Sequence, residues 1–215
     1  MNTRVEASPD VERDVWRRTL QIFHRPAAAF ELLSDETSEA VSALQEPLIA
    51  LVWLAGIAGV LTSSVAVNPL DQSNVDGVTF AAFAFTAGGA YGLIAYFLAG
   101  GALYVGVRGQ GSEASYRLAR HVLAFSSAPV VLSLLLVWPI RLALYGGDLF
   151  HAGGSDGGTP NAVFGGILGA FGVWSLALLA LGVRVVYEWS WSRSLGAVAL
   201  SVVVLGLFSA IPAVL

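Results

Sequence analysis

The chain has 215 residues, a formal net charge of −4, and 56% hydrophobic against 12% charged residues, where a soluble domain carries about 25% charged. That composition points to a membrane protein. Cysteine is absent, which excludes disulfides, thiolate nucleophiles and cysteine-ligated metals.

Residues 1–46 form a polar tail with five arginines and nine acidic residues, so the whole formal charge lies ahead of the first apolar run. That run begins too late for a cleaved leader, whose apolar stretch falls within about the first 30 positions. Trp16, Leu20, Phe23, Ala27 and Phe30 recur at spacings of four and three, with Arg13, Arg17 and Arg25 around them. An apolar stripe at helical period predicts an amphipathic helix. It lies either in the headgroup layer or on the loops of its own bundle. Pro26 is expected to open a second short helix, because proline is at ease in a first turn.

Five segments follow that are apolar enough to cross a bilayer, at about 47–67, 79–107, 121–145, 163–183 and 195–215; about 20 helical residues span roughly 30 Å of hydrocarbon. The second exceeds that length, so it either tilts or begins after Thr79. The second and fourth are glycine-rich, and the pairs Gly88 with Gly92 and Gly165 with Gly169 mark faces where helix backbones approach closely in lipid. Both spans are expected at the centre of the bundle.

In the third segment Ser126 and Ser127 precede Pro129, which predicts a kink whose freed carbonyls the two hydroxyls satisfy. Pro139 marks a loosening near the far end. Arg141 stands about 20 residues beyond His121, roughly 30 Å along a helix. It therefore reads as an interfacial anchor, with Trp138 and Tyr145 as its aromatic belt.

Ten of the 11 arginines fall on one side of the alternating loops; the other side has Asp71, Asp76, Asp148 and Asp156. Basic residues stay cytoplasmic, so the N-terminus is expected inside a cell membrane and the C-terminus outside. Arg108 with Arg117 and Arg184 with Arg193 share a spacing of nine, a faint sign of two like-oriented hairpins. The expected fold is all-α and polytopic: a tail over 1–46 with an interfacial helix, then five transmembrane helices over 47–215.

Chemistry is sparse. The spans hold no aspartate, glutamate or histidine at mid-depth, and His24, His121 and His151 do not converge. A carboxylate relay or metal site therefore has no candidate, and no catalytic motif is present. The reading is a protein without catalysis or cofactor, in contact with lipid, an unidentified membrane or cytoplasmic protein, or a second copy of itself, and not with nucleic acid. Hydroxyls within the spans, Ser133, Ser175 and Ser201 among them, leave a channel or carrier for a neutral solute or lipid as the alternative.

Three stretches carry a resemblance: RPAAAF with Arg25, Pro26 and Phe30; LAFSSAPVVLSLL around Pro129; and WSLALLALGVRVVYEWSWSRSLGAVAL from Trp174 to Leu200. With them the chain resembles the Yip (Ypt-interacting protein) domain family of five-span membrane proteins, as a prokaryotic-type member, from about Phe23 onward. The resemblance implies a non-enzymatic scaffold or adaptor. Eukaryotic relatives bind Rab-type GTPases through their tails, whereas the tail here is short and a Rab partner is not expected. Carried over by position, Arg25, Pro26 and Phe30 would meet the membrane or a partner, and Arg184 to Arg193 would be the second cytoplasmic contact; Trp16 and Arg17, in the striped segment ahead of them, are candidates for the same contact.

Overall fold

The computed structural model describes Arg13, Arg17 and residues 19–34, 44–62, 77–113, 115–146, 149 and 158–210. The described elements are helical throughout: α1 (Pro26–Glu31), α2 (Gln45–Thr62), α3 (Gly77–Gly109), α4 (Tyr116–Ser126), α5 (Ala128–Tyr145), α6 (Thr159–Val186) and α7 (Trp191–Ala210), with 3-10 turns at Gln21–Phe23 and Leu32–Ser34. Four stretches are long and apolar enough to cross a membrane: α2, α3, α4 with α5, and α6. Helix α7 adds a shorter apolar stretch over Trp191–Gly206. The residues 63–67 and 211–215 of the expected spans, and Trp16, lie outside the described residues.

Two compact units can be distinguished. One gathers Met1–Ala50, Tyr96–Ser126 and Leu176–Leu215; the other gathers Leu51–Ala95 and Ser127–Ser175.

In the second unit, α2 and α3 touch backbone to backbone. A Cβ on Gly56 would lie 2.6 Å from the Gly92 Cα, and one on Gly88 would lie 2.6 Å from the Ile57 Cα. No side chain fits between them, so the three glycines set the approach. Trp53 packs on Phe85 with ring centres 5.3 Å apart beside this contact. Gly88 and Gly92 thus face α2. The second pair is different. Gly165 and Gly169 have no described atom within 4 Å of an added Cβ, nor do Gly166 and Gly172. The expected close contact of α6 through this pair does not form among the described residues. A G-x-x-x-G spacing permits a close approach but supplies no partner.

Helix α3 begins at Gly77. The stretch of it apolar enough to cross a membrane is Ala81–Gly109, a span that begins after Thr79 as expected. The 33 residues of α3 extend about 50 Å at helical rise, well beyond the hydrocarbon thickness.

The third apolar segment is one membrane-length stretch interrupted at a single residue, at the SSAP site where the kink was expected. α4 ends at Ser126, Ser127 makes the turn, and α5 opens with Pro129 in its first turn, where the missing N–H leaves no intrahelical bond unmade. The Ser126 hydroxyl donates to the Val122 carbonyl at 2.7 Å, one turn back in its own helix. The expected repair of a proline-freed carbonyl by Ser126 is therefore not what forms. Pro139 lies inside α5, which continues to Tyr145, so the helix does not end there.

The tail departs from a single striped helix. The 3-10 turn at Gln21–Phe23 and the extended Arg25 (φ −138°, ψ 65°) interrupt it, and Pro26 starts α1. The buried residues are Thr19, Ile22, Ala29, Phe30 and Leu33, while Leu20 is 61% exposed. Phe30 is fully buried; its ring centre lies 6.3 Å from that of Phe125. A Cβ on Gly182 would stand 2.7 Å from the Phe30 Cζ. Through Phe30, α1 is packed on α4 and α6.

Candidate functional site

The first unit is organised around arginines that lie on aromatic rings. Arg120, midway along α4, sits 4.5 Å from the Tyr116 ring centre, 4.6 Å from Phe97 and 5.0 Å from Tyr96. Its aliphatic stem lies on Gly100, where a Cβ would come 3.1 Å from its own Cβ. The Tyr116 hydroxyl donates to the Phe97 carbonyl at 2.7 Å, tying the start of α4 to α3. Arg108, in the last turn of α3, lies 5.3 Å over Tyr104.

The loop between α6 and α7 repeats the device. Arg193 lies 4.0 Å over Trp189, and Arg184 lies 4.8 Å over Trp191. Arg193 also donates through Nε and Nη2 to the Gln110 carbonyl, the Nε contact measuring 2.9 Å. One guanidinium therefore clasps the other loop. Beneath this clasp α3 and α7 meet closely: a Cβ on Gly106 would press into the Ala197 carbonyl and the Ser201 hydroxyl.

A guanidinium is planar, weakly hydrated and always charged, so it binds ring faces well and keeps its edge N–H groups available. Among the described residues, none of Arg108, Arg117, Arg120, Arg184 and Arg193 is paired with a carboxylate. Arg108, Arg117 and Arg184 are exposed, whereas Arg120 and Arg193 are half-buried.

The Tyr187 hydroxyl is buried, with no hydrogen-bond partner among the described residues. Burial disfavours the phenolate and pushes its pKa from 10.0 to about 12. Glu188 follows with φ 53°, a left-handed conformation that side chains other than glycine's seldom take.

The remaining sequence candidates are dispersed. Arg17 and Arg25 are exposed, and Arg25 stands at the N-cap of α1. Ser127 is the turn between α4 and α5. Arg141 is buried, with its guanidinium 4.9 Å from the Trp138 ring centre and 5.5 Å from Phe164. Trp138 is itself buried, in a cluster with Leu149, Leu61, Leu134 and Tyr145, and Tyr145 meets Phe164 edge-on at 6.1 Å. The expected anchor reaching out to an interface is thus an aromatic-packed residue, because ring faces can hold this cation where water would otherwise do so. The hydroxyls of Thr86, Ser133 and Ser201 donate to carbonyls of their own helices, Ala82, Val130 and Ala197, at 2.7 to 2.8 Å. Each thereby satisfies its own donor.

The aromatic half of the arginine surface escaped the sequence reading, although a signal was there. Tyr104 with Arg108 and Tyr116 with Arg120 are each four residues apart, the spacing that stacks side chains on one helix face; Trp189 stands four before Arg193 as well, in the loop ahead of α7.

Helices of this length and apolarity, crossing and recrossing with the loops just described, define an all-helical polytopic membrane protein. Comparison with protein families matches residues 20–211 to the Yip1 domain, and the chain belongs to the Yip1 domain family. Comparisons with curated proteins and with solved structures give no match.

Proposed function

We propose that the chain is a non-catalytic membrane scaffold. Its N-terminal segment and its two arginine-bearing loops face the cytoplasm and recruit a protein partner there. The observation that carries this reading is the arginine surface of the first unit. Arg108, Arg120, Arg184 and Arg193 are each held on an aromatic ring, which fixes a charged, hydrogen-bonding surface at little cost in side-chain entropy.

Two measurements test the reading. The chain has no cysteine, so Ser115→Cys and Ser190→Cys give single reporters. A membrane-impermeant maleimide should label both only from the cytoplasmic side. Crosslinking in native membranes should then capture one partner with the intact chain and lose it with Arg184→Ala plus Arg193→Ala. Labelling from outside, or capture unchanged by these variants and by deletion of the tail, would end the proposal.

A further inference from the structure

We propose that the arginine and aromatic surface of the first unit binds the phosphodiester headgroups of anionic phospholipids. Its position supports this first. Arg108 lies in the last turn of α3 and Arg184 in the last turn of α6, while Arg117 and Arg193 stand in the first turns of α4 and α7. Four arginines thus lie within a turn of an apolar helix end, the level at which a bilayer presents its headgroups.

Charge supports it next. The loops and adjoining turns, 108–120 and 184–193, hold five arginines against Glu113 and Glu188, a balance of +3. None of these arginines is neutralised by a carboxylate among the described residues. A cationic cluster at headgroup level attracts anionic lipid, at about 1 kcal/mol, or roughly fivefold, for each arginine.

Shape decides the chemistry. Where a ring covers one face of a guanidinium, the in-plane N–H edge remains, and that edge matches two oxygens of a phosphate. Arg184 over Trp191 and Arg108 over Tyr104 are exposed, so both offer such an edge. Arg193 spends its Nε and Nη2 on the Gln110 carbonyl and holds the two loops together under the headgroup. Trp191, 48% exposed, supplies the amphipathic ring that suits the carbonyl zone of a lipid. An acidic peptide would take the same charge, so competition by one is an outcome of the test below.

This inference rests on membrane insertion and on no protein partner, so it is tested with the purified full chain alone. The chain is reconstituted into phosphatidylcholine vesicles containing spin-labelled phosphatidylglycerol or spin-labelled phosphatidylcholine, and the motionally restricted fraction of each label is measured. Wild type should restrict phosphatidylglycerol several-fold more than phosphatidylcholine, and Arg184→Gln should cut that preference about fivefold. Arg108→Gln alters an exposed residue at a helix end, so its own loss of preference is read even if an Arg193 variant fails to fold. Arg184→Lys, which keeps the charge without the planar fork, should fall between. Equal restriction of the two lipids by wild type would overturn the proposal. So would a preference untouched by Arg184→Gln and Arg108→Gln, or one abolished by millimolar inorganic phosphate or by polyglutamate, which would assign the site to a free anion or an acidic peptide.

Discussion

The two arginine-bearing loops make the same reversal with different residues. After α3, Ser112 donates to the Val107 carbonyl at 3.1 Å and Gly111 to the Arg108 carbonyl at 2.9 Å; after α6, Trp189 donates to Arg184 at 3.0 Å and Glu188 to Val185 at 3.3 Å. Both are left-handed helix terminations of the kind usually given to glycine. The first loop has glycine in the left-handed place, Gly111 at φ 83°, and the second has Glu188 at φ 53°. A left-handed residue with a side chain costs roughly 1–2 kcal/mol. The second loop carries that strain next to Tyr187, whose buried hydroxyl has no hydrogen-bond partner among the described residues. Strain of this kind gathers where a surface is used, and the loop that bears it also presents both tryptophans.

The comparison can be broken most severely at the helix contact beneath both loops. Gly106→Leu should separate α3 from α7, remove the Arg193 clasp on Gln110 and destabilise the chain by about 3 kcal/mol or more, seen as loss of the monodisperse peak on heating in detergent. Phe30→Ala should cost about 3 kcal/mol by emptying the seat on Gly182. Its sharper sign is rapid proteolysis in the tail while the apolar helices stay protected.

Substitutions at the left-handed residues should move in opposite directions. Gly111→Ala should lower stability by about 1–2 kcal/mol, and Glu188→Gly should raise it by up to about 1 kcal/mol; paired thermal midpoints read the difference. If the strained residue belongs to the working surface, the more stable Glu188→Gly protein should lose lipid or partner binding. The smallest effect concerns Tyr187. Its folded pKa of about 12 exceeds the usual 10.0, so the stability of the buried neutral phenol is fully present below about pH 10. It is lost as pH rises through 12. Tyr187→Phe should flatten that alkaline loss and remove one late step from the tyrosinate absorbance titration.

Much of this architecture is written locally. The five apolar runs, the helix start at Pro26 and the paired Gly88 and Gly92 follow from period, φ restriction and side-chain size, which neighbours in sequence determine. Other features depend on who meets whom. Gly56, the partner of Gly88 and Gly92, sits in an apolar run that gives no hint of its role, and Gly165 with Gly169 shows the same spacing with no described neighbour. The stripe counted Leu20 and Ala27 at helical period, but the 3-10 turn at Gln21–Phe23 breaks that period ahead of the expected helix start at Pro26, and both residues are exposed. Arg141 was placed by counting along a helix, which measures depth but is blind to Phe164 across the way. The arginine surface lay between these cases: the four-residue spacing was visible, but the clasp of Arg193 on Gln110 spans 83 positions.

The Phe30 ring seated on Gly182 fixes where the N-terminal segment docks on α6. A protein shortened to start at Pro26 would keep its plug, whereas one starting after Ser34 would expose a ring-sized notch in α6.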